Sequence, residues 1–120
     1  MRVGYVRGST KEDITARQDE LIAKFGVEKV YTDKVNGRYT EQPELQKLIE
    51  YVRSGDIVVV ESINQIAQNS RDLLDFVEQL KSKQVHFISQ KDTFDTLTPI
   101  GKFIFAVFGA VAELEQKYLS

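Results

Sequence analysis

The run Ile57-Val58-Val59-Val60 constrains this chain more than any other four residues in it. A strand with one wet face alternates apolar and polar side chains, whereas an unbroken β-branched run needs apolar cover on both faces, as in a parallel sheet flanked by helices. The surrounding segments supply that cover. Residues 2–6 read as a short strand, and Thr10 with Asp13 forms a capping pair that opens a helix carrying Ile14, Leu21, Ile22 and Phe25, with Gly26 as its stop. Residues 27–32 alternate as a second strand. Residues 33–42 hold Asn36-Gly37 and several polar groups and read as a loop, with Pro43 in the first turn of the next helix. That helix carries Leu45, Leu48, Ile49 and Val52, and Ser54-Gly55-Asp56 ends it before the central run.

Residues 61–69 are polar apart from Ile63, Ile66 and Ala67, and Leu73, Leu74, Val77 and Leu80 then mark a helix starting near Ser70. Residues 85–89 read as a fourth strand. From Pro99, Ile100, Phe103, Ile104, Val107, Phe108, Val111 and Leu114 recur at helical spacing, and Phe105 widens the apolar arc enough to call for a second packing partner. Strand and helix patterns thus alternate four times in 120 residues, with no room for a second core. The expectation is one α/β domain over residues 1–120: three layers, a mainly parallel sheet of four to five strands, right-handed crossovers and helices on both faces.

Composition narrows the chemistry. The chain has no cysteine, which removes disulfides, thiolate metal sites and cysteine nucleophiles, and its one histidine, His86, cannot build a metal site alone. The opening residues turn polar too early for a signal peptide, and no apolar run nears the ~20 residues that span a bilayer, so a soluble, cytoplasmic protein without a membrane partner is expected. A net charge of −2 gives no global positive field to advertise nucleic-acid binding. Neither a dinucleotide fingerprint nor a phosphate-loop spacing is present, and the first strand is followed by Arg7 and Ser9 where a magnesium-binding receiver domain would carry acids.

In doubly wound sheets the functional crevice lies beyond the carboxyl ends of the strands, near a switch in strand order. Residues 7–10, 33–42 and 62–69 all fall on that rim. Tyr5, Arg7 and Ser9 alternate where the first strand leaves the sheet, which puts a phenol, a guanidinium and a hydroxyl on one side if the chain stays extended. Arginine beside serine suits a phosphate site with a hydroxyl nucleophile. The bland alternative is a serine that ends a strand and leads into a helix next to a surface arginine.

Several patches taken together resemble the catalytic (N-terminal) domain of the serine site-specific recombinases of the resolvase/invertase family, in register over nearly the whole chain. Tyr5-Val6-Arg7-Gly8-Ser9-Thr10 resembles the family's Tyr-x-Arg-x-Ser-Thr, Gln18 its following glutamine, and Asp33-Lys34-Val35-Asn36-Gly37 its Asp-Lys-x-Ser-Gly. Glu41-Gln42-Pro43-Glu44-Leu45 resembles Asp-Arg-Pro-Glu-Leu, and Ser54-Gly55-Asp56 with the strand after it is similar to the family's Gly-Asp and apolar strand. Thr98-Pro99-Ile100-Gly101-Lys102 resembles Thr-Pro-Met-Gly-Lys. The resemblance implies site-specific recombination: Ser9 attacks a DNA phosphodiester, forms a 5′-phosphoserine link and later reverses the reaction after strand exchange. Arg7, Tyr5, Gln18 and Glu115 complete the implied catalytic set, with no metal and no cofactor. It also implies dimers and tetramers built through the last helix, and DNA held by a C-terminal helix-turn-helix domain. The last helix reads as cut rather than finished, since its apolar pattern reaches Leu119 without a stop signal.

The sequence departs from the family where charge matters most. Ile63-Asn64-Gln65-Ile66-Ala67-Gln68 stands where the family has Leu-Asp-Arg-Leu-Gly-Arg, Gln42 and Gln116 replace further arginines, and Asn36 replaces a serine. Of the expected arginine cluster only Arg7 remains. Restoring four arginines and one aspartate would turn the charge of −2 into about +1, so the missing charge is local to the expected phosphate site. Loss of one transition-state donor costs roughly 10²–10³ in rate, and a phosphoryl-stabilising arginine is worth about 10³–10⁵. The expectation is therefore the recombinase fold with impaired strand cleavage. The alternative is a catalytically silent module that dimerises with itself or with an active relative and regulates it; a receiver-like or nucleotide-binding domain is a third reading.

Overall fold

A computed structural model describes the backbone of residues 1–35 and 41–119, and the side chains of residues 1–35 and 41–114. The elements run β1 (Arg2–Gly8), α1 (Lys11–Phe25), β2 (Lys29–Lys34), α2 (Pro43–Tyr51), β3 (Ile57–Val60), α3 (Ser70–Ser82), β4 (His86–Ser89), β5 (Phe94–Asp95) and α4 (Pro99–Leu119), with one turn of 3-10 helix at Ile63–Gln65. One five-stranded sheet has the order β2-β1-β3-β4-β5. The first four strands pair in parallel and β5 pairs antiparallel with β4.

The apolar run at 57–60 is covered on both faces as expected. Val58 and Val60 join Val3, Tyr5, Leu48, Val77, Leu80 and Phe87 in the larger core, under α2, α3 and α4. Val59 faces the other way, with Val6, Leu21, Val27 and Ile88 under α1. Thr10 is the N-cap of α1, accepting from the Asp13 amide at 3.1 Å, and Gly26 ends that helix at φ 63°. β1 and β2 each run two residues beyond the expected ends, so Asp33 and Lys34 belong to a strand and not to the loop.

Helix α2 is closed at both ends from outside. Gln42 precedes it without a side-chain cap. The buried Asp33 carboxylate at the end of β2 instead accepts from the Glu44 and Leu45 amides at 3.0 and 3.1 Å. At the far end the Lys83 ammonium donates to the carbonyls of Ile49, Glu50 and Val52 at 2.6, 3.2 and 3.1 Å. Anion at the start and cation at the end match both the orphan backbone groups and the helix dipole.

The last helix divides its wide apolar arc between two faces. Phe105 and Ala112 are buried, Phe108 stacks on Phe94 at 6.3 Å, and an aromatic chain continues through Phe87 to Phe76. Ile100 and Phe103, read from periodicity as part of an arc too wide for one packing partner, are 70% and 69% exposed, and Val107, Val111 and Leu114 continue that outer stripe. The widened arc is two faces, one spent on the domain and one open. Gly101 lets α4 sit against β5, because a Cβ there would overlap the Asp95 carbonyl. Among the described residues no helix is long and apolar enough to cross a membrane.

Candidate active site

Strand order switches between β1 and β3, and the loops leaving β1, β2 and β3 meet there as the sequence pattern requires. They enclose an open groove of about 400 Å³. Arg7, Gly8 and Ser9 come from the end of β1, Val35 follows β2, Asn64 and Gln65 follow β3, and Asp13 and Arg17 reach in from α1. A larger hollow of about 460 Å³ between α2 and α3 is lined, among the described residues, by the acids Glu41, Asp72 and Asp75 and by no cation, a lining that disfavours a phosphate.

Ser9 is exposed at the junction of β1 and α1. The junction is tight: a Cβ on Gly8 would lie 2.7 Å from Asp13 Oδ2 and 2.8 Å from Ile14 Cγ1, so glycine lets the helix close over the strand end. The Arg7 backbone amide donates to Gln65 Oε1 at 2.8 Å, tying β1 to the turn after β3. The Arg7 guanidinium makes no hydrogen bond among the described residues and lines the groove.

Arg17 is a second guanidinium in the groove, and sequence reasoning missed it. Its Nε donates to Asp13 Oδ1 at 3.1 Å and its Nη1 to Glu61 Oε1 at 2.7 Å. Glu61 is only 9% exposed and also pairs with the Lys91 ammonium at 3.0 Å. Burial would weaken Arg17's hold on its proton, but Glu61 and Asp13 outweigh it, and the group stays charged. The spacing of four between Asp13 and Arg17 was a legible signal; Glu61, 44 residues further on, was not.

Tyr5 does not reach the groove. It is fully buried, its hydroxyl donates to Asp33 Oδ2 at 2.7 Å, and it accepts from Gln42 Nε2 at 3.0 Å. Burial pushes the phenol well above its usual range; the Gln42 hydrogen bond opposes that and Asp33 adds to it. Tyr5 is therefore a neutral donor that braces the Asp33 cap, and the alternation of Tyr5, Arg7 and Ser9 does not bring three groups to one surface.

Residues 2–120 match the family described as Resolvase, N terminal domain. The chain belongs to the resolvase family. It is 39% identical over 119 residues to a DNA-invertase of Enterobacteria phage P7, covering 99% of this chain and 64% of that protein. It is 33% identical over 119 residues to the serine recombinase gin of Escherichia phage Mu, covering 99% of this chain and 62% of that protein. The chain thus spans less than two thirds of the length of these curated relatives. Among solved structures, the N-terminal catalytic domain of TP901-1 integrase superposes with a TM-score of 0.69 at 23% identity, covering 98% of each chain, which shows a shared fold.

Two of the glutamines read from the sequence as standing in for arginines, Gln42 and Gln65, are spent on structure. Gln42 Nε2 donates to the Gln65 carbonyl at 2.8 Å as well as to Tyr5, away from the groove. Gln65 lines the groove, but its side-chain oxygen is occupied by the Arg7 amide. Asn64 lines the groove and is exposed, as is Gln68, which is not part of the lining. Gln18 donates to Thr32 Oγ1 at 2.8 Å, anchoring α1 to β2 outside the groove. Asn36 and the side chains of Glu115 and Gln116 lie outside the described residues.

Proposed function

We propose that the chain is the catalytic domain of a serine recombinase acting in site-specific DNA recombination, with a reduced capacity to cleave. The observation that carries this reading is Ser9, exposed in a groove at the strand-order switch beside Arg7 and Arg17. Ser9 Oγ attacks the phosphorus, the P–O3′ bond breaks, and the serine proton ends on the departing 3′-oxygen. The product is a 5′-phosphoserine link and a free 3′-hydroxyl, which conserves the bond energy for religation. The reacting phosphoryl group needs fixed positive charge. The Arg7 guanidinium, which makes no hydrogen bond among the described residues, can give it, while Gln42 and Gln65 are committed to the fold.

That commitment favours a second reading, a silent module that pairs with an active relative. Incubation with a cognate site carrying a nick that traps the covalent intermediate separates the two. The expected result is a slow, Ser9-dependent protein–DNA adduct, absent in Ser9→Ala. An adduct that survives Ser9→Ala, or none from the unaltered chain, removes the active reading.

The open stripe on α4 is proposed as the seam between two copies of the chain. Ile100, Phe103, Val107, Val111 and Leu114 follow a three-four spacing, as helix pairs require. Phe103→Asp is expected to weaken self-association at least tenfold, read by sedimentation equilibrium, because a charge would have to be buried at the seam. Unchanged association would show that this stripe is not the contact.

A further inference from the structure

We propose that Arg17 is a second phosphate-binding residue of the Ser9 groove, held in its working orientation by Asp13 and Glu61. The inference rests on the reading of that groove as a phosphodiester site and assigns it a cation outside the family's arginine set. A guanidinium carries five N–H donors in a rigid fork. Among the described residues Arg17 spends one on Asp13 and one on Glu61, leaving three, and the side chain lines the same groove as Ser9 and Arg7.

Two features separate this arrangement from a plain ion-pair staple. Glu61 shares one oxygen between Arg17 and Lys91, so the cluster sets two cations against the two carboxylates of Glu61 and Asp13, and Arg17 is not outweighed by its partners. The two carboxylates also fix the plane of the guanidinium. A donor already oriented needs no further ordering when charge arrives, which makes it more effective than a freely rotating one. Arg7 from β1 and Arg17 from α1 would then meet the non-bridging oxygens of a phosphate at Ser9 from two different elements.

The test is a titration of the ¹⁵N-labelled chain with tetrathymidylate, followed by NMR. The Gly8, Ser9 and Gln65 amides and the Arg17 Nε–H signal are expected to shift together along one saturation curve. Arg17→Gln should weaken binding about 5- to 10-fold. Arg17→Lys should weaken it nearly as much, since one ammonium cannot reproduce the fork. Lys24→Gln, the same charge change on an exposed pair of α1, should leave the affinity unchanged. Groove amides that shift while Arg17 Nε–H stays still, or an Arg17→Gln affinity equal to that of the unaltered chain, overturns this proposal alone. No shift at Gly8 and Ser9 removes the phosphodiester reading of the groove and this proposal with it. The Arg17 Nε–H signal is read in the unaltered chain, so the outcome does not depend on how any variant folds.

Discussion

Asp33→Ala is expected to lower the stability of this domain by about 3–5 kcal/mol, a large part of the ~5–15 kcal/mol that a domain of this kind holds. Three donors depend on that carboxylate: the Tyr5 hydroxyl and the amides of Glu44 and Leu45. Alanine would leave a buried phenol and two helix N-terminal amides without their acceptor, and hydrogen bonds to a charged group are each worth about 1.5–3 kcal/mol. The losses share one site and do not add in full. Urea unfolding followed by circular dichroism gives the number, and a loss below about 1 kcal/mol would show that water replaces the cap. Asp33→Asn should fall between, since an amide oxygen can still accept but brings no charge to the helix dipole.

Restoring arginine at four positions, as Gln42→Arg, Gln65→Arg, Gln68→Arg and Gln116→Arg together, is expected to raise Ser9-dependent cleavage by about 10²–10⁵ once a DNA-binding module is attached. The positions are unequal. An arginine at 42 can donate as Gln42 does to Tyr5 and to the Gln65 carbonyl, so the fold tolerates it. An arginine at 65 cannot accept from the Arg7 amide, so that single change orphans a donor at the groove and should cost stability before it adds rate. Gln68 is exposed and loses nothing. Cleavage of a nicked site measured beside the melting temperature checks both effects. A folded quadruple variant with unchanged cleavage would mean that missing charge is not what limits the reaction.

Local rules carried most of the fold. The unbroken run at 57–60, the Thr10 cap, the Gly26 stop and the helix starts at Pro43, Ser70 and Pro99 all fall where the structure has them. Each depends on neighbours within a turn or a strand, so a linear reading reaches it. Strand β5 did not show itself, because Phe94–Asp95 is too short for any periodicity and exists through pairing with β4. Periodicity also could not tell which apolar arc of α4 would be buried, because the Phe94–Phe108 stack that decides it joins two elements.

The groove divides in the same way. Ser9 and Arg7 were legible from their place after the first strand, and so was the meeting of three loops at the switch point. Where the side chains of Tyr5, Gln42 and Gln65 turn was not, nor was the clamp on Arg17. The sequence by itself determined the order of elements, the faces of the central strand and the place of Arg7 and Ser9 at the end of the first strand, since these follow from spacing along one chain. Tertiary structure decided that Asp33 and Lys83 close the ends of α2 and that Glu61 holds Arg17. A carboxylate or an amide can satisfy many partners with similar energy, and only the packed sheet determines which one lies within 3 Å.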